Sequence, residues 1–243
     1  MMSLDEFWQI IEATRAPTQE EQLELFKREL QRLAPSKLID FYRIFVEQEF
    51  DAYGWDLWVV VWLCRGGMCS DDSFADFRRW LISRGRTVYD AGLEYPDMLI
   101  DEISQVKYPT FEEFGSVCYH VYEEMTGQRF PELDLNHPQN PKGGDWLRPE
   151  LRDRSNSQML NRCVVFDEMG DPEFAALEKR FPRTWEYCVQ KGIITTGSPP
   201  VPSDIPTPEG VAATVDPNLA TTDFAAYLKA LNDAAQKTYK KEK

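Results

Sequence analysis

The chain has 243 residues, of which 42% are hydrophobic and 13% aromatic, a composition typical of a globular protein and not of a disordered one. It carries 41 acidic and 27 basic residues, so its formal net charge is −14. Phosphate backbones and anionic membranes repel such a chain, so we expect no nucleic-acid and no membrane binding, whereas a basic partner is compatible with this charge.

Cysteine usage and apolar runs indicate the compartment. The five cysteines are odd in number and follow no regular framework, which argues against a disulfide scaffold and for a reducing compartment. The N-terminal stretch lacks the basic and apolar regions of a secretory signal. The longest strongly apolar run, Leu57 to Cys64, is far shorter than the ~20 residues of a membrane span. We therefore expect a cytoplasmic protein.

Hydrophobic periodicity predicts helices along most of the chain and no convincing strand. The predicted helices cover, in order, residues 3–14, 18–33, 38–50, 55–65, 73–84, 86–94, 97–103, 110–127 and 174–190. Capping boxes, in which a side chain bonds a free backbone N–H of the first turn, open three of them: Ser3 with Glu6, Thr18 with Glu21, and Thr110 with Glu113.

The fourth predicted helix organises the others. Residues 55–65 are apolar on nearly all sides, so this helix is expected to be central and the most buried, and Gly66 and Gly67 end it. Ser70, with Asp71 and Asp72, is expected to cap the helix that follows. Asp97 is expected to cap the short helix that ends near Ile103.

Pro and Gly content divides the rest of the chain. Residues 128–157 are too rich in Pro and Gly for long regular structure, and Trp146 and Leu147 are expected to pin this segment to the core. We predict an all-α fold, a compact multi-helix bundle, over residues 1–192. A Pro-rich disordered linker over 193–222 and a C-terminal amphipathic helix over 223–243 complete the predicted domain organisation.

One arginine is out of place in this pattern. Arg78 falls in the middle of the apolar face formed by Phe74, Phe77 and Leu81. A buried guanidinium is costly unless it is paired, and the candidate partners are acidic residues near the ends of the two central helices: Asp56, Asp71 and Asp72. Two interpretations stay open: a closed structural ion-pair network, or an Asp/Arg/Trp cluster that lines a pocket.

The candidate functional surface extends this cluster to neighbouring polar and aromatic residues. Tyr119 and Tyr122 share a helix face and are either a core rim or a ligand platform. The candidate ligand-binding residues are Trp55, Asp56, Asp71, Asp72, Arg78, Arg86 and Tyr122.

Known catalytic and metal patterns are weak or missing from the sequence. Cys69 precedes a helix N-terminus, but Asp71 and Asp72 oppose formation of its thiolate, so a nucleophilic role is not expected. Cys118 and His120 fall on different sides of a helix, and no metal site or cofactor is predicted. Asp71 and Asp72 together with Asp56 form the one divalent-cation site that we regard as an alternative.

Four stretches of this sequence resemble a bacterial family of unknown function, DUF4240. They are Phe7-Trp8, YGWDLW at 53–58, CSDDSFADFRRWLISRGRTVYDAGLEYPD at 69–97, and YEEMTG at 122–127. The resemblance covers about residues 3–147 and excludes the tail beyond Gly192. It implies either a stand-alone small protein or a neighbour of WGR-type modules in proteins named as molybdate-metabolism regulators. It supplies no catalytic residues.

These observations favour a cytosolic, non-catalytic regulatory or protein-interaction module, with a protein partner that binds in part through the C-terminal helix. Two alternatives remain. The protein is a small-ligand binder or an enzyme that uses the Asp/Arg/Trp cluster, with or without a divalent cation; or it is an immunity protein against a basic toxin, an alternative that depends only on acidity and small size.

Overall fold

The computed structural model describes residues 1–66, 69–145 and 172–194. Helices α1 to α8 span Leu4–Ala13, Gln19–Leu30, Pro35–Asp51, Trp55–Cys64, Asp71–Ser83, Arg86–Glu94, Ile100–Ile103 and Glu112–Thr126. Helices α9 and α10 span Pro172–Arg180 and Pro182–Gln190, and a 3-10 helix, Pro96–Leu99, precedes α7. The described residues form no strand, and an isolated bridge joins Gly54 to Lys142. The predicted all-α fold is confirmed.

Helix α4 lies in the core, as its all-round apolar sequence predicts. Every residue from Trp55 to Leu63 except Asp56 is buried. Helices α5 and α10 and the 3-10 helix pack against α4, while α8 packs against α2, α3 and α5 on the other side of the bundle. Aromatic rings fill much of the interior; Phe26, for example, stacks on Phe114 with ring centroids 4.2 Å apart.

Local side-chain caps form at three of the predicted helix starts. Ser3 and Glu6 make the complete capping box at α1, and the Thr18 hydroxyl accepts a hydrogen bond from the Glu21 N–H at α2. Ser70 accepts from the Ser73 N–H at the start of α5, as expected.

The capping box predicted at Thr110 is wrong. Helix α8 begins at Glu112, and no side chain caps it from within its own segment. The reason is that the preceding backbone is bonded to other elements. The Phe111 N–H donates to the Asp76 carbonyl at 3.0 Å, and the Thr110 carbonyl accepts from the Gln19 side chain at 2.7 Å.

Three further helix starts are bonded to carboxylates from distant parts of the chain. Asp40 accepts from the Met2 N–H just before α1 at 2.8 Å, and Glu12 accepts from the Arg86 N–H at α6 at 2.9 Å. Asp97 accepts from the N–H groups of Arg183 and Thr184 in the first turn of α10, at 3.0 and 2.8 Å. The expectation that Asp97 caps its own short helix is therefore wrong, because its carboxylate is bonded to a helix 86 residues away in sequence.

The Pro-rich segment is bonded to the core at Lys142. Its N–H donates to the Tyr53 carbonyl at 2.8 Å, its carbonyl accepts from the Trp55 N–H at 3.0 Å, and its Nζ lies 2.6 Å from Asp51 Oδ1. These bonds hold the segment 128–145 against the N-terminal end of α4. The anchors expected for it, Trp146 and Leu147, lie outside the described residues.

All described residues belong to one compact unit, Met1–Thr195. The linker predicted over 193–222, apart from its first two residues, and the C-terminal helix predicted over 223–243 lie outside the described part of the chain, together with the partner contact expected there. No helix within the described ranges is long and apolar enough to cross a bilayer.

Replacing Asp97 by Ala is expected to destabilise the protein by about 1–2 kcal/mol, because two N–H groups at the start of α10 lose a charged acceptor. Urea unfolding followed by circular dichroism measures the change. Asp101→Ala is the matched control: Asp101 pairs with the Arg183 side chain at 2.8 Å but is 60% exposed, so its loss costs at most about 0.5 kcal/mol. Equal losses in the two variants would contradict the capping role of Asp97.

Candidate functional site

Arg78 is buried in the middle of the apolar face of α5, where the sequence places it, with 9% of its surface exposed. Its Nη1 donates to the carbonyl of Glu49 at 2.8 Å, in the last turn of α3. Carbonyls in the last turn of a helix lack partners within the helix and lie at the negative end of its dipole. Arg78 therefore caps the C-terminus of α3 from a different helix.

Two aromatic rings cover the guanidinium. The Arg78 Cζ lies 4.8 Å from the centroid of the Tyr53 ring and 5.2 Å from that of Phe74. Its Nε is buried and has no hydrogen-bond partner among the described residues. Burial lowers the pKa of Arg78, and the nearby charges of Glu49 and Asp71 act in the opposite direction. The positive charge is therefore held by carbonyl, ring and carboxylate contacts together.

Arg78 also forms part of an open cleft of about 220 Å³, which we call the acidic cleft. Helix α5 supplies one wall, because positions 71, 75 and 78 repeat on one helix face. The end of α3 and the turn after it supply a second wall, and the segment 128–145 supplies the third. The acidic cleft is lined by Phe50, Tyr53, Asp71, Asp72, Ala75, Arg78, His137 and Pro138.

The two aspartates of the acidic cleft differ in their surroundings. Asp71 is half-buried, and its Oδ1 accepts from the Tyr53 hydroxyl at 3.5 Å. Asp72 is exposed and makes no hydrogen bond or ion pair with the described residues. Asp71 thus belongs to the network around Arg78, while Asp72 presents its carboxylate to solvent at the mouth.

Asp56 and Trp55 do not reach this cleft. The Asp56 carboxylate lies at the first turn of α4 and accepts from Arg180 Nη2 at 2.6 Å, so the expected pairing with Arg78 is not found. No local pattern predicts that α9 returns to this point, 124 residues later in the chain. Trp55 is 1% exposed and stacks on Trp58 at 5.4 Å, so it belongs to the core.

Arg86 and Tyr122 also lie elsewhere. The Arg86 side chain is largely exposed and pairs with Asp5 at 2.7 Å and with Asp90 at 3.3 Å. Tyr122 is 9% exposed, and its ring packs edge-on against Phe130 at 5.0 Å, which makes it part of the core. Of the seven predicted site residues, three line the acidic cleft: Asp71, Asp72 and Arg78.

Sequence reasoning did not assign Tyr53, Phe50 and His137 to the site. His137 lies in an irregular segment, and its ring contacts Phe50 with centroids 4.7 Å apart. No local pattern marks such a histidine. The only local signal for Tyr53 was its position just before Gly54, in the turn between two predicted helices.

Cys69 is unsuited to nucleophilic chemistry, as expected, but for a different main reason. Burial raises its pKa from 9.0 to about 12, Arg65 and the Trp58 side chain act against this, and Asp71 adds a smaller increase. Cys118 is also buried, with its pKa raised to about 12, and its Sγ lies 3.3 Å from the Leu38 carbonyl.

The divalent-cation alternative is not supported by the positions of the aspartates. Asp56 is bonded to Arg180, away from Asp71 and Asp72. Within the ranges that the structure describes, no three His, Cys, Asp or Glu side chains are close enough together to hold a metal ion.

The fold and the cleft define a small all-α protein with an acidic cleft on its surface. The chain belongs to the DUF4240 family of proteins of unknown function, whose sequence profile matches residues 2–124. This match ends before residue 147, where the resemblance was expected to end, and it leaves His137 outside the family region. No curated protein and no solved structure matches the chain.

Arg78→Met keeps the aliphatic bulk of the side chain and removes the guanidinium. We expect a loss of about 2–4 kcal/mol, because the Glu49 carbonyl loses its donor and Asp71 its counter-charge. Urea unfolding followed by tryptophan fluorescence measures the loss. Arg86→Met removes an arginine whose two ion pairs are exposed and is expected to cost less than about 1 kcal/mol. If the two variants are equally stable, Arg78 does not cap α3.

Alkylation by iodoacetamide at mildly alkaline pH tests whether the cysteine thiols are protonated in the native protein. Cys69 and Cys118 are expected to react about 10³-fold more slowly in the native protein than in urea, because a pKa of about 12 leaves so little thiolate. Peptide mapping by mass spectrometry follows each site separately. Fast native alkylation of Cys69, with Cys118 protected, would show a reactive thiol beside the acidic cleft.

Proposed function

We propose that this protein is a non-catalytic binding module that captures a polypeptide partner by receiving one of its basic side chains in the acidic cleft. The observation that carries the proposal is that one charged group of the cleft already has partners and another has none among the described residues. The guanidinium of Arg78 is engaged by the Glu49 carbonyl and lies close to Asp71. The carboxylate of Asp72 is left to interact with a cation from outside.

The size of the acidic cleft favours a side chain over a cofactor. Its volume of about 220 Å³ is below the roughly 300–1,000 Å³ of most small-molecule sites. The aromatic ring of Phe50 lines the cleft together with the carboxylates, and the face of such a ring attracts cationic groups. The net charge of −14 adds a long-range attraction for a basic partner.

The proposed setting is the cytoplasm of a bacterial cell, where the module has a regulatory role. The odd cysteine count supports a reducing compartment, and the bacterial setting rests on the resemblance seen in the sequence motifs. An immunity protein that neutralises a basic toxin is a special case of the same proposal, because it too requires an acidic surface with a specific cleft.

A small-ligand or enzymatic function is the second candidate, and one observation favours it. His137 lines the same cleft as Asp71 and Tyr53, which brings together groups suited to proton transfer. A thermal-shift assay with divalent cations, alone and together with nucleotides, separates the two candidates, because these ligands carry no basic side chain. Stabilisation by a free small molecule that is lost in Asp72→Asn favours the second, by mass-action linkage.

The first candidate is tested with a fluorescein-labelled peptide of alternating lysine and alanine, and with its glutamate counterpart, by fluorescence anisotropy. We expect the lysine peptide alone to bind, and Asp72→Asn to weaken it by about threefold to fivefold, the effect of losing one exposed ion pair. Glu24→Gln, which removes an exposed carboxylate of α2 outside the cleft, is the matched control and leaves the affinity unchanged.

Two results would contradict the proposal. Equal weakening in Glu24→Gln and Asp72→Asn would show that overall charge, and not the acidic cleft, attracts the peptide. The absence of any lysine-dependent binding at low salt would remove the proposed recognition of a basic side chain altogether.

A further inference from the structure

A second and larger groove, of about 600 Å³, adjoins the acidic cleft. His137 belongs to the lining of both. The second groove lies between helices α3 and α8 and the segment 128–145. We call it the aromatic groove; its lining includes Tyr42, Val46, Tyr119, Phe130, Leu133 and Leu135.

The floor of the aromatic groove is uncharged. The hydroxyls of Tyr42 and Tyr119 are hydrogen-bonded to each other, and their ring centroids are 4.4 Å apart. Phe130 packs edge-on against both rings, at 5.1 and 4.8 Å. Burial, and then the bond to Tyr119, raises the pKa of Tyr42, so the Tyr42 hydroxyl stays neutral at physiological pH.

Charged groups lie among the residues that line the groove but not in this floor. Glu123, Arg129 and Glu132 are exposed residues of the lining, whereas Leu133 and Leu135 are half-buried beside the rings. The aromatic rings and the leucines of the lining offer contact to an apolar side chain, while the charged residues of the lining stay in water with the flanking backbone.

We propose that the aromatic groove receives an apolar side chain of the same partner peptide whose basic side chain enters the acidic cleft. The recognised motif is then one basic and one large apolar residue close together in an extended segment. This inference rests on the proposed function, because the basic residue decides which peptide reaches the site. Because His137 lines both sites, the two residues lie near each other in the peptide, and the number of positions between them is set by the span of extended chain, about 3.3 Å per residue.

Charge complementarity selects this occupant over a purely apolar one. The acidic cleft attracts a cation, and the net charge of −14 repels an acidic peptide. An apolar residue alone would bury apolar surface in the groove. It would lack the charge contact that fixes the position of the peptide along the two sites. The two sites together therefore recognise a pair of residues, one basic and one apolar, that neither site recognises alone.

The experiment uses the full chain and fluorescein-labelled Gly/Ser peptides in three sets: one lysine, one leucine, or both at each separation from about one to four positions. Anisotropy gives the affinities. At the best separation, we expect the two-residue peptide to bind about tenfold more tightly than the lysine peptide, the gain from burying most of one leucine side chain.

Three variants assign the gain. Leu133→Glu is expected to abolish the tenfold gain and leave lysine-only binding in place, while Asp72→Asn is expected to weaken both lysine peptides equally. Met125→Glu is the control, because Met125 is 42% exposed on α8 and lines neither the acidic cleft nor the aromatic groove.

The outcomes separate the two proposals. Lysine-dependent binding that ignores the leucine at every separation overturns this inference and leaves the proposed function standing. Leucine-dependent binding that is insensitive to Asp72→Asn overturns the proposed function and the combined motif. Binding to neither residue overturns both, and a gain that survives Leu133→Glu places the leucine outside the aromatic groove.

Discussion

The structure around the candidate site depends on the buried guanidinium of Arg78. A charge in this position is unfavourable unless several groups compensate it. The compensating groups come from three places: the Glu49 carbonyl at the end of α3, the Tyr53 ring in the turn that follows, and Asp71 at the start of the same helix as Arg78. Because each of these groups must stay within contact distance, Arg78 fixes the end of α3, the turn into α4 and the first turns of α5 relative to one another.

The same contacts explain why a cleft exists at this point. The guanidinium is bonded to the Glu49 carbonyl behind it, and Tyr53 and Asp71, which are bonded to each other, line the cleft beside it. The segment 128–145, fixed by the backbone bonds of Lys142, then closes the third side and brings His137 to the mouth. A structural ion-pair network and an open pocket were alternative interpretations of the sequence. In the described part of the chain Arg78 is hydrogen-bonded to a backbone carbonyl and not to an aspartate, and it also lines an open cleft.

Much of the fold follows from the sequence, because its signals are local. The apolar run of α4, the capping box at Ser3 and the Ser70 cap all act within a few residues, and each forms as predicted. The position of Arg78 on the apolar face also follows from helical periodicity alone. What the sequence does not contain is the partner of each charged group. Asp56 bonds Arg180, and Asp97 bonds the start of α10, at separations set by the tertiary fold.

The long-range carboxylate caps also give the acidic composition a structural meaning. Asp40, Glu12 and Asp97 each accept from backbone N–H groups at the start of another helix, where the helix dipole favours negative charge. Part of the negative charge therefore lies on carboxylates that join one helix to another, and these carboxylates are not available to a partner. Asp72 differs from these residues because no described group satisfies it. Asp72 is also set in a cleft together with an aromatic ring, and this combination, and not the total charge, is why we propose the acidic cleft as the place where a cation binds.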